Sequence, residues 1–195
     1  MPAVERTIMD EWASVPLPPA PDLVPVTLNP ATSALLVLDV QYRNCNTERR
    51  PRCVASVPRI QQLLARARAA GALVVYSLTR GATPDDVRAE VAPRESEPAV
   101  ASSVDKFHGT ELEAILREGG IRTAILVGTS AHGAVLHTAV GAAMRGFDVV
   151  VAVDGMSASD AYAEQYTAWH LANGPGTRGR AMLTTVDGIA FELEV

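Results

Sequence analysis

Residues 34–41 read Ala34-Leu35-Leu36-Val37-Leu38-Asp39-Val40-Gln41. Five apolar residues in succession, closed by a carboxylate, have the length and composition of a strand buried on both faces. Outward from it, strand and helix alternate. Residues 54–69 carry Val57, Ile60, Leu63, Leu64 and Ala67 on one helical face and stop at Gly71. A second buried strand follows at 72–78. Residues 111–118 predict a helix ended by Gly119-Gly120, and 123–127 a third strand. A small-residue helix over 134–144 ends at Gly146, and 149–153 form a fourth strand. Ser159 is the expected N-cap of a helix running to about residue 172, Gly174-Pro175-Gly176 breaks it, and 181–185 form a last strand. Continuous apolar strands joined by helices require a parallel sheet covered on both faces, because each crossover lays a helix on the sheet. Catalytic and binding groups of such sheets lie beyond the carboxyl ends of the strands. That placement selects Asp39, Gln41, Tyr42 and Arg43, then Thr79 and Arg80, then residues 128–133, then Asp154.

The remainder of the chain is less regular. Seven of the thirteen prolines fall in the first thirty residues, which leaves room only for a short helix near residues 8–13. Residues 1–30 are therefore expected to be a proline-rich arm and 31–195 a single domain. The polar stretch 81–103, with Pro84, Pro93 and Pro98, is expected to be a functional or partner-contacting loop with one short helix. In the last helix Tyr162, Tyr166 and Trp169 form a stripe suited to core or subunit contact.

Seventeen basic residues stand against 22 acidic ones, for a net charge of −5, so there is no broad basic footprint for nucleic acid or anionic lipid. Only one of the seventeen is lysine, Lys106. A guanidinium stays charged at any working pH, whereas an ammonium can be tuned and can give up a proton, so a lone lysine among arginines is either a site that needs an amine or a chance survivor in a composition rich in Arg, Ala, Gly and Pro. The two cysteines, Cys45 and Cys53, are too few for a disulfide framework and lack zinc-site spacing. A small buried hydrophobe is the expected role of Cys45, with catalysis by its thiol as the alternative. With no signal region and no apolar run of membrane-spanning length, the expectation is a soluble, unprocessed, cytoplasmic protein.

Asp39 sits at the rim of an apolar core, where burial raises a carboxyl pKa and a cation lowers it. The loop Gly128-Thr129-Ser130-Ala131-His132-Gly133-Ala134 leads from a strand into a helix through small residues and leaves backbone amides for an anion or a polarised carbonyl. It is neither a dinucleotide fingerprint nor a P-loop. Arg80, and less clearly Arg43, are positioned to clamp a carboxylate.

Three separated segments, ALLVLDVQ at 34–41, KFHGTEL at 106–112 and GTSAHGAVLHTA at 128–139, followed by RGFDVVVAVDGMSA, resemble the isochorismatase-like hydrolase superfamily, which also holds nicotinamidases and related cysteine amidohydrolases. The resemblance implies a three-layer α/β/α Rossmann-like fold with a six-stranded, mainly parallel sheet. It also implies catalytic roles for Asp39 and Lys106, and a cis peptide between Thr129 and Ser130. The amidase loop pattern G-x-x-T-D/N-x-C places the nucleophilic cysteine at Ala134, which cannot attack a carbonyl. Ala131-His132-Gly133-Ala134 is closer to the A-H-x-G of true isochorismatases, although Ala134 replaces the final glycine. The implied chemistry is acid-catalysed cleavage of a small, anionic metabolite, with Gln41, Arg80, His108, Thr129, Ser130, Ala131 and His132 around the substrate. Neither metal nor cofactor is expected, and the chain is expected to form a homo-oligomer, dimer or tetramer. Two other readings stay open: a C–N hydrolase using activated water or Cys45, and a catalytically silent binding protein.

Overall fold

A computed structural model describes residues 6–192. Pro2 of the arm and the last three residues of the domain lie outside the described residues. After a one-turn helix, α1 (Ile8–Glu11), the chain forms β1 (Val26–Leu28), β2 (Ser33–Leu38), α2 (Pro51–Ala70), β3 (Leu73–Thr79), β4 (Ala99–Ser102), α3 (Leu112–Glu118) and β5 (Thr123–Thr129). It continues with α4 (Leu136–Met144), β6 (Asp148–Ser157), α5 (Ala161–Asn173), β7 (Ala181–Thr184) and β8 (Ile189–Phe191).

Six strands make one sheet in the order β4-β3-β2-β5-β6-β7, and every neighbouring pair is parallel. The expected α/β/α layering is present. Ala34, Leu36 and Leu38 of β2 face a core shared with α3, α4 and α5, while Leu35 and Val37 face the opposite core beneath α2. All six residues of β2 are buried, as a central strand covered on both sides must be. Helix α2 opens on Pro51, whose missing N–H costs nothing in the first turn, and closes on Gly71 in the left-handed region at φ 77°.

Three features depart from the sequence reading. The stretch 81–103 contains two single-turn 3₁₀ helices, at Pro84–Asp86 and Ala89–Val91, and then the edge strand β4, whose four residues alternate between exposed and buried. A second, two-stranded parallel sheet pairs β1 with β8. The N-cap of α5 is Asp160, not Ser159, with its carboxylate accepting from the Ala163 amide at 3.0 Å.

From β2 the chain runs outward through β3 to β4, then returns across the sheet to β5 and continues the other way. The order therefore reverses between β2 and β5, and the crevice beyond their carboxyl ends is the binding position that this topology creates.

Candidate functional site

The ends of β2 and β5 can approach because Gly128 adopts φ 124°; a Cβ there would lie 2.1 Å from the Leu38 carbonyl oxygen. Immediately after β2, Asp39 takes φ 52°, the only positive value at a non-glycine among the described residues. Asp tolerates this region better than most residues, and such backbone is found preferentially at functional sites.

Both carboxylate oxygens of Asp39 are engaged. Lys106 Nζ lies 2.8 Å from Oδ2, and Ser77 Oγ donates to Oδ1 at 2.8 Å. Lys106 is fully buried; its ammonium also donates to the carbonyls of Leu78 (3.4 Å) and Ser102 (3.3 Å), so all three protons are used. Its backbone amide donates to Thr138 Oγ1 at 3.2 Å, which ties the lysine loop to α4. Burial pushes the Asp39 carboxyl above its ordinary value, against the opposing pull of the Lys106 ammonium, the Ser77 hydroxyl and the Arg50 charge. A carboxyl so placed can hold a proton at a higher pH than an exposed one and hand it to a bound molecule.

Asp39 opens onto a cavity of about 340 Å³ whose wall includes Thr79, Arg80, Thr129, Ser130 and Ala134. The Thr129–Ser130 peptide is cis. Thr129 Oγ1 donates to the Ser157 carbonyl at 3.1 Å, and a single π-type turn, Ala131–Val135, carries Ala134 from β5 into α4. Ala134 therefore faces the same cavity as Asp39, where an amidase would need its thiol.

The other sequence candidates lie elsewhere. Gln41 is buried, but its Oε1 accepts from the Thr79 amide (3.0 Å), the Thr79 hydroxyl (3.1 Å) and Asn44 Nδ2 (3.4 Å), so it braces the strand ends and does not line the cavity. His108 is exposed, and Ala131 packs in the core under α4. His132 is exposed in a separate groove with His137, Tyr166 and His170. Asp154 falls inside β6, where it pairs with Arg59 at 3.1 Å and accepts from the Val186 amide. Tyr42 and Arg43 are exposed. Among the described residues, no three His, Cys, Asp or Glu side chains gather into a group able to hold a metal ion.

The cysteines need a correction. Cys45 and Cys53 are bonded to each other, with Cα atoms 5.2 Å apart, and both are fully buried. Cys45 is thus a crosslink and not a free hydrophobe, and while bonded it has no thiol with which to attack a substrate. A disulfide persists in oxidising surroundings, so cysteine usage no longer argues for the cytoplasm. No helix among the described residues is long and apolar enough to cross a membrane.

Sequence reasoning also missed Ser77, Arg49 and Arg50. Ser77 is a polar residue inside an apolar strand, a signal that was available. Arg49 and Arg50 line the cavity and stand directly before Pro51 at the start of α2. A helix N-terminus disfavours cations, so two arginines there were a signal of a role other than helix support.

A family model described as Isochorismatase domain matches residues 33–186, and the chain belongs to the isochorismatase family. It is 32% identical over 148 residues to a secreted isochorismatase effector, Isc1, of Verticillium dahliae, a match covering 70% of this chain and 78% of that protein. Among solved structures it is similar to a cysteine hydrolase from Pseudomonas syringae pv. phaseolicola, with a TM-score of 0.74 at 22% identity, covering 86% of this chain and 94% of that one. It is also similar to N-carbamoylsarcosine amidase from Thermoplasma acidophilum, with a TM-score of 0.67 at 25% identity, covering 84% and 99% of the two chains.

Proposed function

We propose that this isochorismatase-family hydrolase cleaves the C–O bond of an enol ether on a small anionic metabolite, with Asp39 as general acid and no enzyme nucleophile. The observation that carries this reading is the pairing of a methyl group, Ala134, with a buried carboxyl, Asp39, on one cavity. An amide needs a nucleophile at its carbonyl carbon, whereas a vinyl ether needs only a proton on its terminal carbon. Asp39 gives that proton, and the ether oxygen shares the positive charge of the oxocarbenium ion that forms. Water adds to the cationic carbon and returns a proton to the Asp39 carboxylate; the hemiketal then collapses to a ketone and an alcohol. Lys106 holds the carboxylate that forms and sets the acidity of Asp39. Thr129, Ser130 and Arg80 border the substrate. Gln41, His108, Ala131 and His132 support or flank the site without facing this cavity.

The experiment is a panel of enol ethers, isochorismate among them, run beside a panel of amides and read by the mass of water gained. Turnover of an enol ether, lowered about 10³-fold by Asp39→Asn, is the expected result. Full activity in Asp39→Asn overturns the assignment. Turnover confined to amides gives the site to C–N hydrolysis by activated water, and binding without turnover of either panel makes the protein a silent member.

The same reading places the protein in an oxidising compartment, on the strength of its disulfide. It also takes the protein to be a homo-oligomer, because Tyr162, Tyr166 and Trp169 stay exposed on α5 beside Leu17 of the arm. Sedimentation at a mass above the 20.6 kDa of one chain tests that statement.

A further inference from the structure

The charge of the cavity is opposite to that of the molecule. Three guanidinium groups, Arg49, Arg50 and Arg80, line it with a single carboxylate, Asp39, which is already neutralised by Lys106, whereas the whole chain carries −5. Among the described residues none of the three arginines makes an ion pair. Arg50 is the best placed of them. It is half-buried, its Nε is buried with no hydrogen-bond partner, and its Nη1 reaches only Thr129 Oγ1, at 3.5 Å. A partly desolvated guanidinium with unused donors gains from a ligand that supplies the acceptors.

Arg49 and Arg50 also sit inside a closed ring. The Cys45–Cys53 bond spans eight residues of sequence and encloses both arginines. One end of the ring is fixed to the site: the Cys45 amide donates to the Gln41 carbonyl at 2.7 Å and the Cys45 carbonyl accepts from Arg88 at 3.0 Å. The other end, Cys53, belongs to the first turn of α2.

Resting on the reading of this cavity as the substrate site, we propose that Arg50 is the carboxylate anchor of the ligand. The Cys45–Cys53 disulfide is the positioning crosslink that keeps this guanidinium at the cavity, so that anion binding requires the oxidised pair. Reduction by a dithiol reverses it: a thiolate attacks one cysteine sulfur, the second thiol of the reductant resolves the mixed disulfide, and two electrons and two protons end on Cys45 and Cys53 while the reductant becomes a disulfide. The ring then opens and Arg50 is free to leave the wall.

The test uses sodium benzoate, a carboxylate with no bond to cleave, titrated calorimetrically into the full chain, with benzamide as its neutral counterpart. Benzoate is expected to bind at least tenfold more tightly than benzamide. Arg50→Ala and the double variant Cys45→Ser/Cys53→Ser are each expected to weaken benzoate binding at least tenfold. Combining all three substitutions is expected to weaken it no further than Arg50→Ala alone, which separates positioning of Arg50 from general loosening of the fold. Titration of the parent chain before and after dithiothreitol, with thiols counted, gives the same comparison if the double variant fails to fold. Equal benzoate affinity with the disulfide intact and open overturns the crosslink's role. Unchanged affinity in Arg50→Ala, or no benzoate binding by the parent, overturns the anchor. Absence of turnover together with the expected benzoate pattern would sink the hydrolase reading and leave this inference standing.

Discussion

Lys106, the lone lysine, is buried with its ammonium 2.8 Å from Asp39, and each residue determines the cost of losing the other. Removing one partner of a buried pair strands a charge, which typically costs about 3–5 kcal/mol, whereas removing both leaves nothing stranded. Lys106→Met is therefore expected to lower stability by about that amount at neutral pH, and Asp39→Asn/Lys106→Met to recover part of it, both read from urea denaturation. A double-variant loss equal to the sum of the Asp39→Asn and Lys106→Met losses would show that the pair is not coupled. The pH dependence follows from the raised Asp39 carboxyl. A folded-state pKa above the unfolded one contributes stability that is fully present below the unfolded value and is lost as pH rises through the folded value. Activity that needs protonated Asp39 falls over the same upper range. Because the Lys106 cation pulls the carboxyl down, residual activity of Lys106→Met should keep its falling limb at higher pH than the parent's; a limb that moves to lower pH contradicts the general-acid role.

At the scale of elements, the closest tolerance is where β5 passes β2. Any side chain at Gly128 meets the Leu38 carbonyl at 2.1 Å and must also hold φ 124°, so the two penalties act together. Gly128→Ala is expected to cost about 3 kcal/mol or more and to displace Asp39, measured as a lowered midpoint in denaturant together with lost turnover. A variant of parental stability would show that β5 can withdraw from β2. The central strands were legible in the sequence because burial on both faces leaves an unbroken apolar run, as in Leu35-Leu36-Val37-Leu38. Strand β4 was not, since Ala99-Val100-Ala101-Ser102 is a short edge strand of mostly small residues with every second one exposed, and nothing local separates it from the loop before it. Asp39, Lys106 and Ala134 stand out in the sequence because each falls in a recognisable segment, and the structure brings Asp39 beside Lys106 and onto one cavity with Ala134. The position of Gln41 was not legible for a physical reason: a buried amide near a site looks the same in sequence whether its oxygen faces the cavity or, as here, accepts from Thr79 and Asn44. The disulfide was hidden because two cysteines eight apart carry no signal until a turn brings them together.

Across the whole molecule, the last part of the proline-rich arm pairs with the C-terminal segment of the described chain. Strands β1 and β8, three residues each, pair Val26 with Ile189 and Leu28 with Phe191, and Val24 donates to the Leu183 carbonyl at 2.9 Å. So short a sheet is not stable alone, and the structure anchors it from the main domain. Leu28, Val186 and Ile189 extend the core beneath α2, and Arg66 of that helix donates to the carbonyls of Ile189, at 3.0 Å, and Val186. One guanidinium thus satisfies two carbonyls of the C-terminal segment from a helix more than a hundred residues earlier in the chain. Arg66→Ala leaves both without that donor, and charged donors to such groups are worth about 1.5–3 kcal/mol each before water replaces them. The loss is expected to stay local, because β2 and β5 draw their protection from both cores and not from this contact. Hydrogen exchange should accelerate in residues 24–28 and 183–191 of Arg66→Ala while β2 and β5 keep their parental protection. Uniform acceleration would instead mean that the pairing of β1 with β8 holds the entire sheet, and unchanged exchange would mean that apolar packing under α2 holds that pair without Arg66.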